Sequence, residues 1–403
     1  MLYQAYQTQS DLLAPLRAMA ELTGVALAYP QLQESQTLRA ISAWCDVIAQ
    51  AQLTHVRPPF GIESVMVEGR PAAIVEDMAQ TLPFGSLLHL SKPGVTGQPR
   101  VLIVAPMSGH FATLLRETAR TMLADHDVYI TDWHNARDVP QAAGRFGMDE
   151  YMDHLIAFLE TIGPGAHVVA ICQPCVAALA AVAVMAEDDH AAMPRSLTLM
   201  AGPVDCRINP TAVNVLATSK PMSWFENNLI ATVPWRYPGS GRRVYPGFLQ
   251  LTAFMQMNRD RHVQSFIGLY NDLVNGEHER AEVTRAFYGE YFAVLDLTAE
   301  FYLETIRDVF QDYALPRGEL MWHGRKVDPS AIRRTALLTV EGERDDICAI
   351  GQTMAAQELC SSIRPYMKSH HIQTGVGHYG VFSGKRWNQQ IYPIVRESIQ
   401  MSS

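Results

Sequence analysis

Between residues 101 and 202 the chain alternates two kinds of segment, and this alternation constrains its fold more than any other feature. VLIVAP (101–106), VYITDW (128–133), HVVAI (167–171) and SLTLMAG (196–202) are largely apolar from end to end. The segments between them keep helical spacing: FATLLRETARTML, a stretch from Asp149 with Tyr151, Leu155, Phe158, Leu159 and Ile162, and residues 174 to about 186. A strand exposed on one face would alternate polar and apolar residues. These do not, so the pattern predicts a mostly parallel sheet covered by helices on both faces. It resumes with TALLTVEGE (335–343), a helix from about Ile347, the strand HHIQTGV (370–376) and a last helix from about Lys385.

Around this core, residues 1–60 read as an N-terminal helical extension, from the apolar spacing in DLLAPLRAMAEL and LRAISAWCDVIAQAQL. Two β-type runs follow, SVMVEG and AAIVEDM, expected to pair antiparallel around Arg70 and Pro71. From 203 to 331 the alternation stops, and roughly half of all aromatic residues crowd into less than a third of the chain. The expected organisation is an extension (1–60), a core in two pieces (61–202 and 332–403) and an inserted helical lid or cap (203–331).

Composition narrows the function. Lys+Arg 32 against Asp+Glu 41 gives a formal net charge of −9 with no block of like charges, so a polyanion finds no matching surface and nucleic acid is not an expected partner. The first residues have neither a cationic start nor an apolar stretch of signal-peptide length, which makes a cytoplasmic protein the expectation. The longest apolar run, residues 175–186, falls well short of the ~20 residues that span a bilayer. Six cysteines in 403 residues are too sparse for a disulfide framework. A cysteine with a special role is therefore catalytic, redox-active or a metal ligand.

Cys172 is the first candidate. It sits where the strand HVVAI runs straight into a helix opened by Pro174, a residue whose missing N–H costs nothing there. A thiol at a helix N-terminus feels the positive end of the helix dipole, and a sharp strand-to-helix turn lifts it above the sheet. This is the mechanics of the G-x-S-x-G nucleophile elbow, with Ala170 and Pro174 at the glycine positions and Cys for Ser. Downstream, Asp345 lies in an acidic loop after the strand 335–341, and His378 lies between glycines after the last strand. Nucleophile, acid, histidine is the chain order of α/β-hydrolases. Asp346 is expected to cap the following helix. Oxyanion donors are expected from the backbone of Gln173 and from Met107 or Ser108 in the loop 106–110, where His110 has either a structural role or reach into the site.

Cys172-Gln173-Pro174-Cys175 also has the form of a redox C-x-x-C, so a thiol–disulfide oxidoreductase is a rival reading, as is a non-catalytic protein that kept a hydrolase fold. The redox reading lacks a preceding Trp and leaves the downstream acid and histidine unused. Cys175 is expected to be packing, with a reversible oxidation brake as its alternative role. No second C-x-x-C exists to complete a zinc site, so no metal is expected.

The segments VLIVAPMSGHFATLLRETARTML, VYITDWHNARDVP, AICQPCVAALAAV, VYPGFLQLTAFMQMNRDRH, TVEGERDDICAIGQT and GVGHYGVFSGKRW together resemble the intracellular poly(3-hydroxybutyrate) depolymerases. The resemblance implies an α/β-hydrolase fold with a mostly parallel eight-stranded sheet, and a Cys172, Asp345, His378 triad. It implies a cytoplasmic enzyme at the surface of polyester storage granules, with no cofactor beyond coenzyme A as an alternative acyl acceptor to water, and a homodimer among its candidate assemblies. The aromatic insert would then supply the polymer surface, with Trp224, Phe248 and Tyr291 as the expected substrate contacts.

Overall fold

The computed structural model describes residues 2–257 and 259–403. Its centre is an eight-stranded sheet: β1 (Val75–Leu82), β2 (Gly85–Ser91), β3 (Arg100–Val104), β4 (Asp127–Trp133), β5 (His167–Ile171), β6 (Ser196–Met200), β7 (Ala336–Gly342) and β8 (Lys368–Gln373). The order across the sheet is β1-β2-β4-β3-β5-β6-β7-β8. β1 and β2 pair antiparallel, β2 runs antiparallel to β4, and every other neighbour is parallel.

β5, β6 and β7 are buried along their whole length, which is what wholly apolar strands in a parallel sheet require. Helices complete both faces. Residues 2–27 form α1 and residues 36–50 form α2; then come α3 (Arg116–Met122), α4 (Met148–Ile162) and α5 (Cys175–Glu187). α4 and α5 cover one side of the sheet together with Leu295, Phe301 and Leu320, while α3, Trp387, Val395 and Ile399 cover the other. α5 is apolar all round because it is enclosed all round, as a helix with no polar stripe must be. Its close approach depends on Gly202: a Cβ there would fall 2.2 Å from the Cys175 Sγ.

Between β6 and β7 run α6 (Gly247–Met257), α7 (Arg259–Asn275) and α8 (His278–Tyr291), among shorter helices, and a small three-stranded sheet made by Ala231–Thr232, Arg243–Tyr245 and Leu297–Thr298. The segment is thus not purely helical.

Three local expectations are corrected. The hairpin Ser64–Val67/Arg70–Ala73 turns at Glu68 and Gly69, not at Arg70 and Pro71. Both turn residues have positive φ, the geometry that matches strand twist and that Pro71 cannot supply. The run 75–82 is not part of that hairpin but the edge strand β1 of the main sheet, concealed in the sequence because most of its side chains are exposed. No helix begins at Ile347; turns lead to a short helix at Ala356–Leu359.

Candidate active site

The site forms where three loops leave the C-terminal ends of β5, β7 and β8. Cys172 follows β5 directly, with φ +66°, a conformation that costs a non-glycine residue energy and persists only where its surroundings hold it. The Cys172 N–H donates to Met200 O at 2.7 Å and the Cys172 carbonyl accepts from Cys175 N at 3.2 Å, so the elbow is tied to β6 and to the first turn of α5.

After β7 the chain carries several acids, and the structure separates their work. Asp345 is buried; its Oδ1 accepts from the Ile347 and Cys348 N–H groups at 2.9 and 2.8 Å, and its Oδ2 from His378 Nδ1 at 2.8 Å. Asp346, expected as a cap, is exposed, and the Ile347 and Cys348 N–H groups at the start of that turn are taken by Asp345. Glu341, at the end of β7, accepts from the N–H groups of Gly351, Thr353 and Met354 and so braces the loop beyond Asp345. Glu343 takes the Gly375 N–H and braces the histidine loop. Nothing in the residue types distinguishes these acids. Only the period-2 direction of β7, which turns Glu341 inward, separates it from its neighbours.

His378 is oriented by Asp345 through Nδ1 and hydrogen-bonds the Cys172 thiol group. Burial alone would favour its neutral ring. The Cys172 sulfur and the Asp345 carboxylate outweigh that, and its pKa stands well above the ordinary histidine value. The arrangement therefore favours the protonated imidazolium of His378.

On the opposite lip, the Met107 N–H donates to the side-chain Oε1 of Gln173 at 3.2 Å. Ser108 is next in the same loop and half-buried. His110 is buried, with Nε2 at 3.1 Å from Tyr291 O and its ring stacked on Tyr291, and burial draws its pKa down to about 4. It pins the loop to the insert.

Of the expected substrate aromatics, Tyr291 comes nearest the site: it neighbours Tyr379, whose phenol is pushed up first by burial and then by Tyr291 and Cys172. Phe248 is buried against Tyr3 and stacked on Tyr6 at 4.0 Å, and Trp224 packs edge-on to Phe225, so neither is drawn to Cys172 by these contacts. Tyr379 itself, half-exposed beside His378, escaped the sequence reading, although its adjacency to a candidate histidine was a usable signal.

Cys175 is fully buried; its Sγ donates to Ala170 O at 3.3 Å, and it packs among α4 and α5 residues, whereas Cys172 packs with the cluster on the other face of the sheet. Burial pushes its thiol pKa far up. Both sulfurs are free thiols, Cys175 enclosed and Cys172 half-buried. Among the described residues, no cluster of three or more His, Cys, Asp or Glu is arranged to hold a metal ion.

The strand order, the strained elbow after β5, and an acid and histidine after β7 and β8 define an α/β-hydrolase. The chain is similar in fold to the 2-hydroxy-6-oxo-6-phenylhexa-2,4-dienoate hydrolase of Rhodococcus sp. strain RHA1, at 12% identity over 82% of this chain and 99% of that one, with a TM-score of 0.43. It is also similar to the monoacylglycerol lipase of Paleococcus ferrophilus, at 12% identity over 76% and 97%, with a TM-score of 0.44. No curated protein matches it significantly in sequence. Residues 201–403, half of the chain, match the family model described as PHB de-polymerase C-terminus, and the chain belongs to that family of carboxylic ester hydrolases. The matched half contains Asp345 and His378; Cys172 and the loop 106–110 lie before it. Among the described residues no helix is long and apolar enough to cross a membrane.

Proposed function

We propose that the protein cleaves ester bonds of amorphous poly(3-hydroxybutyrate) through an acyl-cysteine intermediate, with Cys172 as nucleophile, His378 as acid–base and Asp345 orienting His378. The observation that carries this reading is the relay Asp345 Oδ2 to His378 Nδ1 at 2.8 Å, with the far side of the ring against a cysteine on a strained elbow. The thiolate attacks the ester carbonyl, forming the Sγ–C bond while the π pair moves to oxygen, and the N–H groups of Gln173 and Met107 receive that oxyanion. Collapse breaks the ester C–O bond, and His378 gives its proton to the departing 3-hydroxyl chain end. Water, or a thiol such as coenzyme A, then loses a proton to His378 and attacks the acyl-cysteine, releasing a 3-hydroxybutyrate unit or oligomer and restoring the thiolate.

An uncharged polyester offers no salt-bridge partner, and Tyr379, which feels the Cys172 sulfur and Tyr291 together, suits an apolar chain. The enzyme would then act at the surface of cytoplasmic storage granules, with residues 203–331 as its lid. The test compares release of 3-hydroxybutyrate or its oligomers from amorphous polymer by the wild type and by Cys172→Ala. The variant should release none while keeping the wild-type melting curve, and full activity in it would end the assignment.

A further inference from the structure

The loop that offers Met107 N–H to the site is held on every side. The Ala105 N–H donates to Thr131 Oγ1 at 2.9 Å, and the Ala105 carbonyl accepts from Trp133 Nε1 at 2.9 Å. Gly109 O accepts from Leu295 N at 3.0 Å, and His110 is clamped under Tyr291. From above, Gln250 at the start of α6 lies so close that a Cβ on Gly109 would meet its Cγ at 2.8 Å. The N–H that this clamped loop turns toward the elbow already has an acceptor: Oε1 of Gln173, the residue directly after the nucleophile, at 3.2 Å. Two backbone donors that should converge on a substrate oxygen thus belong to a site in which one of them is occupied by the side chain of the other's own residue.

We infer that the Gln173 side chain is a gate on the oxyanion site: its carboxamide oxygen stands in for the substrate carbonyl oxygen, and the ester must displace it. The inference rests on the reaction proposed above. The loop is the poorer candidate for the moving part, because Ala105, Gly109 and His110 tie it to β4 and the insert. Gln173 can move, because it is half-buried and its amide is held by one long hydrogen bond that a rotamer change breaks. The exchange is one acceptor for another on the same N–H, so the closed state lowers apparent affinity without altering the donor geometry of the open one. A neutral hydrogen bond of this kind has a modest net strength, which sets the expected gain on removing it at about two- to tenfold.

The experiment uses the full chain with Gln173→Ala, Gln173→Met and Gln173→Glu, a short soluble ester, and butanal as inhibitor. Addition of the Cys172 thiolate to butanal forms the Sγ–C bond and moves the carbonyl π pair onto oxygen, placing an oxyanion on the two N–H groups. Iodoacetamide alkylates the same sulfur with loss of iodide and creates no oxyanion, so it reports on the thiolate alone. The gate predicts that Gln173→Ala tightens butanal inhibition and raises kcat/KM about two- to tenfold at an unchanged alkylation rate. Gln173→Met, which keeps the bulk without the amide, should move the same way and covers the case of a poorly folded alanine variant. Gln173→Glu keeps the acceptor and should weaken inhibition. Unchanged or weaker inhibition in both neutral variants, with alkylation intact, would overturn the gate and leave the depolymerase mechanism standing. A wild-type protein in which neither turnover nor alkylation of Cys172 occurs would overturn both.

Discussion

The parallel core and its helical cover are held together by different physics. In the core, β5 to β7 are buried end to end and α5 is sealed on all sides, so attachment comes from apolar area and close fit. In the cover, α1 turns Leu12, Met19, Leu22 and Val25 outward, 66–75% exposed. It docks through Tyr3 and Tyr6, which pack on Phe248, and through polar joints: Tyr3 Oη to Asp296 Oδ2 at 2.6 Å, Tyr6 Oη with His55 Nε2 at 3.0 Å, and Arg236 with Asp11 at 3.1 Å. A core held by area admits no added volume, while the buried carboxyl of Asp296 makes the docking of the cover answer to pH. The candidate catalytic groups all hang from the first region, and the second frames them through Tyr291 and Gln250, which meet His110 and Gly109 of the core loop.

The largest separation between the regions should appear in turnover. His378→Ala should reduce ester cleavage to background, as Cys172→Ala should, and Asp345→Asn should lower kcat by about 10⁴-fold by releasing the imidazole from its orientation. Asp346→Asn, at an exposed position, should change stability by no more than about 0.5 kcal/mol and leave turnover near wild type. Steady-state kinetics of the pair decide it: the opposite pattern would mean the acid is misassigned.

Added volume tests the core. Gly202→Ala forces a Cβ onto Cys175 and should cost about 3 kcal/mol in urea unfolding, at the upper end of overpacking effects. An unchanged midpoint would show that α5 can move away from the sheet, and the contrast with the cover would weaken.

In the cover, Tyr3→Phe removes a hydrogen bond from the buried Asp296 and should cost about 1–3 kcal/mol at pH 8. Burial raises the Asp296 pKa to about 6, so the folded state holds its proton more tightly than the unfolded chain does. That contribution is fully present below the ordinary carboxylate value of 3.8 and is lost as pH rises through about 6. The Tyr3→Phe penalty should therefore shrink in melts at pH 5, and a penalty independent of pH would place the role of Tyr3 in packing. His110 and His126 carry the opposite sign. Burial draws both down to about 4, so the unfolded chain takes up protons first, and each costs stability as pH falls from about 6.5 toward 4.

The smallest effect should come from Trp224→Ala, which ought to depress turnover of polymer by a few-fold and leave a short soluble ester nearly unchanged. Phe248→Ala, by contrast, opens a hole between Tyr3 and Tyr6 and should depress both substrates together through stability. Equal losses on both substrates from Trp224→Ala would remove it from any polymer surface.

Much of the core was legible in the residues. Continuous apolar strands alternating with helical spacing specify a two-sided parallel sheet, and an elbow at Cys172 with Asp345 and His378 after later strands follows from position along the chain. β1 was only half legible: the run AAIVEDM contains its first residues, but its exposed side chains show neither the alternation nor the apolar run that would have given its length and its partner. Nor was the division of labour among Glu341, Glu343, Asp345 and Asp346, four acids alike in type and separated only by the direction in which the backbone turns each one.

What the sequence determined by itself is therefore whatever local periodicity and chain order encode: which segments are buried, on how many faces, and in what succession the reactive residues appear. Tertiary structure decided whatever depends on side-chain direction across distant segments. It sent Cys175 to the opposite face from Cys172, made Phe248 a packing residue, set Tyr3 against Asp296, and laid the Gln173 amide on Met107. The physical reason is that burial is a property of a segment and leaves its mark on every residue in it, whereas a hydrogen bond between residues far apart in the chain is a property of one pair and leaves no periodic trace.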